Sequence, residues 1–432
     1  MAVRLTKFKI ALYVFFVVCA IGSVLAFRFG GAGNTRGDDV VLPTITVWGN
    51  MDMKLAEAIN RTAGNPARVT YQQMRADTVY NQFLESVAVN QAPDVIIMPF
   101  ADLGKFFSTD KNFTIPYESY GERAYDDAFI SGASLLKSAT GVTAVPIFVD
   151  PLVMFYNRAM LDDAGMLAPM SAWSDAYIVS EALTRRSGQL GITRSAFGIG
   201  EGSNVTHADS ILSALFLQLG LRIMVPSELQ FTSDLTKSTN SGSAGASALR
   251  FYTSFADPSK NHYTWNRNLP QDKAAFLAES LIYYFGLASE RRELLEKNPN
   301  MSLDVALLPQ ADGGQALTTG DLYVAIFPKA SDSIPAGVAY AYWLVNPSTI
   351  QVLIDAGLYP YTPPVRSVLA APRSDRFSPV EYRSAAISKF WFDLSGQLSG
   401  GIMRDMISDV TAGRRSPEES IGRGAARLDA LQ

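Results

Sequence analysis

Several polar and aromatic side chains fall where apolar runs end, and together they equip the chain to hold a hydroxyl-rich molecule. Trp48, Asn50 and Asp52 close the alternating run that starts at Thr44. Phe100 and Asp102 follow Asp94–Met98, and Asp150 sits alone between the two apolar halves of Ala144–Asn157. An aromatic ring covers the apolar C–H face of a sugar, while carboxylates and amides exchange hydrogen bonds with its rim of hydroxyls. Structural roles compete for the same residues. Trp48 at the end of a buried strand suits core packing, and Asp150 beside Pro151 suits backbone donors. Asp102 suits the start of the following helix, where a side-chain oxygen satisfies free N–H groups.

Catalytic equipment is sparse. His207 and His262 are the only histidines, and the sequence contains no HExxH, GxSxG or GxxxxGK[ST], nor GxGxxG after a strand. Metal and nucleophile chemistry therefore lack their parts, so no catalytic residue, metal or cofactor is expected. An exported glycosidase using Asp150 and Glu201 as its two acids stays open, because the sequence does not give their separation. The net charge of −4 offers no basic surplus for phosphates, which disfavours a nucleic-acid partner.

The elements that must position these residues follow a repeated order. Thr44–Trp48 alternates as a strand, and Met51–Gly64 reads as a helix with Leu55 and Ile59 on one face and Gly64 as its stop. Val69–Gln72 is a second strand, a helix carries Tyr80, Phe83 and Val87, and Asp94–Met98 is a third, fully apolar strand. Strand-helix-strand repeats with apolar strands imply an α/β fold with a parallel sheet covered on both faces. The pattern resumes after Asp150, with a helix from about Ala172 to Arg186, a strand Phe197–Ile199, a helix Ile211–Leu219, and strands at Leu281–Phe285, Asp304–Leu308 and Leu322–Phe327. Ser238–Ser247 reads as a surface turn, and the C-terminal part as helices. In an open α/β sheet, ligands sit beyond the carboxyl ends of the strands, which is where Trp48, Phe100 and Asp150 fall.

In order, the chain presents Trp48-Gly49-Asn50, Pro93-Asp94-Val95-Ile96-Ile97, Pro146 to Asn157, Trp173 opening a helix, Phe276-Leu277-Ala278-Glu279, Thr319-Gly320-Asp321, and Gly357-Leu358-Tyr359-Pro360 leading to Arg366. This succession resembles the family 1 extracellular solute-binding proteins, the maltose-binding protein-like receptors of bacterial ABC importers, over nearly all of residues 40–432. The resemblance implies a two-lobed periplasmic-binding-protein fold of type II with a ligand cleft between the lobes, closing on a small hydrophilic ligand, most readily a sugar or oligosaccharide, for delivery to permease subunits. It places Asp150 and Glu201 where the maltose type has ligand-contacting acids and Arg404 where it has an arginine lining the cleft. A solvated loop acid is the plain alternative for Glu201. Gly286-Leu287-Ala288 and Met98 stand where sugar-binding relatives carry tryptophans, so Trp265 or Tyr284 is expected to serve instead. A membrane-tethered sensory domain on the same architecture is the other alternative.

Arg4, Lys7 and Lys9 precede the uncharged run Ile10–Phe27, which approaches the ~20 apolar residues that span a bilayer. Residues 1–27 are thus expected to be a signal anchor in the cytoplasmic membrane, or a signal peptide cut near Val24-Leu25-Ala26. The lone Cys19 lies inside this run, which leaves the exported part without a disulfide. Residues 28–39 have the composition of a flexible tether. Lobe 1 is expected at 40–149 plus 323–362 and lobe 2 at 153–318 plus 366–432, in a monomer.

Overall fold

A computed structural model describes residues 41–188, 191–226, 231–239, 242–313, 315–393 and 397–431. The chain divides into two units, Met1–Leu42 and Pro43–Gln432, and every element described below belongs to the second. The expected N-terminal hydrophobic helix and tether lie outside the described residues. Among those described, no helix is long and apolar enough to cross a membrane.

The first part alternates as expected: β1 (Thr44–Gly49), α1 (Met53–Asn60), β2 (Arg68–Gln73), α2 (Val79–Ala88) and β3 (Val95–Pro99). β1 pairs in parallel with both β2 and β3. All of β3 is buried, as a strand covered on both faces requires. Helix α1 starts two residues later than expected, because the Asp52 carboxylate accepts from the N–H groups of Lys54 and Leu55 and so makes Asp52 the cap.

The run around Asp150 differs from the expectation of two strands. It is one continuous strand, β4 (Val145–Asn157), buried at every position. The expected helix to Arg186 also stops short. A helix runs over Ala176–Leu183 after a 3₁₀ turn at Trp173–Asp175, and the chain then enters β5 (Arg185–Ser187) and β6 (Gly191–Phe197). Next come α3 (Ala208–Gln218), β7 (Leu281–Leu287), α4 (Glu290–Lys297), β8 (Leu303–Ala306), β9 (Gly320–Ile326), and the C-terminal helices α5 (Gln397–Thr411) and α6 (Pro417–Asp429). The segment at 238–247 holds a two-stranded pairing of Ser238–Thr239 with Gly242–Ser243 that leads into helix Ala244–Ser254.

A nine-stranded sheet runs β2-β1-β3-β9-β4-β7-β6-β5, with β8 on β4. β4 is its spine: its first half pairs with β9, its second half with β7 and β8. The apolar residues on the two sides of Asp150 accordingly enter two separate cores. Val145–Val149 join one with β1, β3 and β9, and Leu152–Tyr156 join the other with α3, β7 and α5. Val365, Val368 and Ala385 pack into the first core, although the sequence reading gave 366–432 to the second lobe.

Candidate functional site: a cleft at the chain crossings

Three passages of the chain lie side by side at Val149–Leu152. Val149 and Thr362 exchange backbone hydrogen bonds of 2.9 Å, and the Thr362 hydroxyl donates to the Val149 carbonyl at 2.6 Å. On the other flank Asp321 is in register with Asp150 and Gly320 with Pro151. The Leu152 N–H donates to the Thr319 carbonyl at 2.7 Å, and the Thr318 hydroxyl to the Leu152 carbonyl at 2.8 Å. Gly320 is needed there. Its φ is +149°, and a Cβ would stand 2.1 Å from the Asp150 carbonyl oxygen.

Beside these crossings lies a cavity of about 130 Å³. Phe100 and Ala101 wall it from the end of β3, Asp209, Ser210 and Ser213 from α3, and Gly320 and Asp321 from the crossing. Phe390, Trp391 and Asp393 complete it together with Gly400 and Met403 of α5. Phe100 belongs to the first core and Met403 to the second, so both halves contribute to the wall.

The site is acidic. Burial, and then the charges on Asp321 and Asp393, push the Asp102 carboxyl up to about 6. Asp321 is also raised, by burial first, with His207 opposing and Asp209 adding. Burial raises Asp150 to about 7 against two bonds from Ser289 that favour its ionised form. The Arg404 guanidinium donates to Asp209 at 2.6 Å. A stacked pair lies near Asp150 and Asp321: the Tyr361 and Tyr323 rings are 4.5 Å apart, and the Tyr361 hydroxyl donates to that of Tyr323 at 3.0 Å. Among the described residues no group of His, Cys, Asp and Glu is arranged to hold a metal ion.

The residues singled out from sequence occupy five kinds of position. Phe100 lines the cavity, and Asp102 lies within reach of the charges on Asp321 and Asp393. Trp48 is buried in the first core, with its indole N–H lacking a partner among the described residues, as does the buried Asn50 Oδ1. Three polar residues are engaged locally. Asp52 caps α1; Glu201 accepts from Arg267 Nε and Thr411 Oγ1, each at 3.2 Å; and Arg404 donates to the carbonyls of Gly202, Val205 and Thr206 as well as to Asp209. Trp265 and Tyr284 are interior residues of the second core. Trp265 donates to Asn204 Oδ1 at 3.1 Å and Tyr284 to Glu290 Oε2 at 2.7 Å. Asp150, 2 % exposed, is held at the crossing by Ser289.

Asp209, Asp321, Trp391 and Asp393 were missed. Asp321 was visible in Thr319-Gly320-Asp321, where a glycine before an acid at the head of a strand marks a close backbone approach. Phe390-Trp391-Phe392-Asp393 was readable too, since three successive aromatics cannot share one helical stripe.

A family model described as bacterial extracellular solute-binding protein matches residues 54–378, well over half of the chain. The chain belongs to this family. No curated protein matches it. The solute-binding protein shares its fold with the sugar-binding protein MalE from the phytopathogen Xanthomonas citri, at 17% identity and a TM-score of 0.72 over 90% of this chain and 97% of that one. It is similar also to a cyclic α-maltosyl-1,6-maltose binding protein from Arthrobacter globiformis, at 13% identity and 0.72 over 90% and 99%. A cyclo/maltodextrin-binding protein complexed with maltotetraose matches at 12% identity and 0.69 over 91% and 98%. The α/β two-lobed periplasmic-binding fold expected from sequence is thus the fold of this solute-binding protein.

Proposed function

We propose that this solute-binding protein captures a sugar or oligosaccharide between its halves outside the cytoplasm and delivers it to the permease of an ABC importer. The observation that carries the reading is the meeting of three chain passages at Val149–Leu152 beside a cavity walled by both cores. Such a crossing is a hinge, and a ligand touching both halves stabilises the closed arrangement over the open one. The permease then distinguishes loaded from empty receptor by the composite surface that closure makes.

Three features support a saccharide. Phe100, Phe390 and Trp391 offer apolar faces, Asp209, Ser210 and Asp321 offer acceptors and hydroxyls around them, and similar structures are described as binding maltotetraose and a cyclic maltosyl-maltose. Trp48 and Asn50 would contribute a donor and an acceptor at the end of β1, and Asp102 an acceptor after β3. The basic start and uncharged run of residues 1–27 support a receptor held at the outer face of the cytoplasmic membrane.

Titration calorimetry with a panel of neutral and charged mono- and oligosaccharides tests the ligand class, and small-angle scattering tests closure. A saccharide that binds and lowers the radius of gyration is the expected result. A panel without any binder, or a radius unchanged at saturation, overturns capture by closure.

A further inference from the structure

The polar side chains lining the cavity are hydroxyls, carboxylates and the Trp391 indole, with no lysine, arginine or histidine among them. The cations close by are committed elsewhere. Arg404 is spent on three carbonyls and Asp209. His207 lies 3.1 Å from Glu290 Oε1, and Lys273 bridges Glu290 and Glu293. Lys389, next in sequence to Phe390, lines a second cavity to which Phe390 and Trp391 also contribute, and not the first. Among the described residues no cation pairs with Asp102 or Asp321, and each acid raises the cost of ionising Asp102 or its neighbour.

This arrangement discriminates among saccharides by charge. An acidic sugar or sugar phosphate would be repelled by the carboxylates. A neutral sugar meets their hydrogen bonds but leaves their mutual repulsion in place as closure removes water, and burying unpaired charge is costly. A primary ammonium answers both demands, with three donors and a positive charge, and charge-assisted bonds are the stronger ones. Trp391 and Phe390 lie on the same wall, where an aromatic face takes the C–H side of a pyranose and also attracts a nearby cation.

We propose that the cleft selects an aminated saccharide, its ammonium seated on Asp321 in the cavity wall and its ring face on Trp391. The inference rests on the saccharide-receptor reading and adds the charge of the ligand to it. The cavity and the crossings define the site independently of its acids.

Three β-1,4 disaccharides that differ only at C2 separate the possibilities when titrated into the purified full-length protein at neutral pH: the diamine chitobiose, its di-N-acetyl form, and cellobiose. The diamine should bind at least about tenfold tighter than either neutral form, a difference of ~1.4 kcal/mol. Its affinity alone should weaken as salt is raised. Asp321→Asn should erase the preference and Asp102→Asn should reduce it, each weakening the diamine by a larger factor than either neutral form. Asp102 is half-buried with no structural hydrogen bond of its own, so its variant keeps the test valid should Asp321→Asn fold poorly. Equal binding of the three, or tighter binding of a neutral form, overturns the amine inference and leaves a neutral-sugar receptor. If none of these disaccharides binds while maltodextrins do, the amine inference fails alone; if no saccharide of any kind binds, the receptor reading falls with it.

Discussion

Asp150 and Ser289 are locked together by two bonds: the Ser289 N–H donates to Asp150 Oδ1 at 2.9 Å and the Ser289 hydroxyl to Oδ2 at 2.5 Å. Ser289 stands between the end of β7 and the start of α4, and Asp150 is midway along β4. The contact therefore ties the second half of the protein to the strand that crosses between halves. A buried carboxylate with both oxygens engaged acts first as a structural acceptor. Asp150→Asn exchanges one acceptor oxygen for a donor facing a donor, and should cost about 1–3 kcal/mol of stability. Saccharide affinity should change by less than about threefold. Paired measurements of melting temperature and dissociation constant decide it: a loss of affinity at unchanged melting temperature would move Asp150 from the hinge to the ligand.

Gly320 supports the same crossing from the neighbouring strand. Gly320→Ala places a methyl against the Asp150 carbonyl and the Pro151 backbone and forces a left-sided φ on a residue with a Cβ. The strain should cost about 2 kcal/mol or more, seen as a lowered midpoint in denaturant. A variant as stable as the parent would mean that the crossing relaxes freely.

Most of this architecture was legible because it depends on local patterns. Short apolar strands separated by amphipathic helices announce a covered sheet. Only the β1–β2, β1–β3 and β6–β7 pairings are parallel, however, and those made by β9 and by β4 are antiparallel, so the sheet is mixed. Helix α1 likewise ends at Asn60, short of the expected stop at Gly64. The pairing partners were not legible. That β4 stays one strand through Asp150 depends on β9, β7 and β8, which arrive from the far end of the sequence. For the same reason the site was half read. Phe100 and Asp102 lie beside strand β3 and could be placed by position, whereas Trp391 and Asp393 reach the cavity through tertiary packing of an irregular segment. Glu201 and Arg404 looked exposed to ligand, but their charges are spent on Arg267, Thr411 and the loop at 202–206, partners remote in sequence.

The titration of the crossing gives the protein a distinctive pH profile. Asp102 at about 6 and Asp150 at about 7 are both raised by burial, so the folded state holds their protons at pH values where the unfolded chain, with carboxyls near ~4, has released them. Their contribution is full below about pH 4 and declines as pH rises through 7. Glu290 acts in the opposite sense. Burial resists its ionisation, but His207, Tyr284 and Lys273 overcome it and hold it at about 2, so its contribution is full above about pH 4.5 and is lost as pH falls toward 2. Denaturant-derived stability should therefore peak between about pH 4 and 5 and fall toward neutrality. Asp150→Asn should flatten the fall. A parent protein whose stability rises steadily from pH 4 to 7 would contradict the burial of these acids.

Arg404 organises the wall of the cleft without being part of its lining. Its guanidinium ties the carbonyls of Gly202, Val205 and Thr206 to Asp209 in the first turn of α3, the turn that offers Asp209 and Ser210 to the cavity. Lysine cannot reproduce a planar fork of five donors. Arg404→Lys should cost about 1–3 kcal/mol and weaken ligand binding by about tenfold through misplacement of that turn. Full affinity in a destabilised variant would confine Arg404 to scaffolding.

Trp391 and Trp265 provide a matched contrast. Both are tryptophans in the second half of the protein; Trp391 is half-buried on the cavity wall, whereas Trp265 is 1 % exposed, sits in the core and donates to Asn204 Oδ1. Removing a ring from a closed core leaves a cavity, so Trp265→Ala should lower stability by about 3–5 kcal/mol, and at a temperature where the variant is still folded its affinity for saccharide should stay near that of the parent. Trp391→Ala removes a surface that ligand would cover. Stability should fall by less than about 1.5 kcal/mol, while the dissociation constant rises by about tenfold or more through loss of ring stacking. Intrinsic fluorescence gives a second readout, since Trp391 should respond to saccharide and Trp265 should not. A saccharide-induced signal that survives in Trp391→Ala and vanishes in Trp265→Phe would reverse the assignment and put the aromatic platform where the sequence alone had placed it.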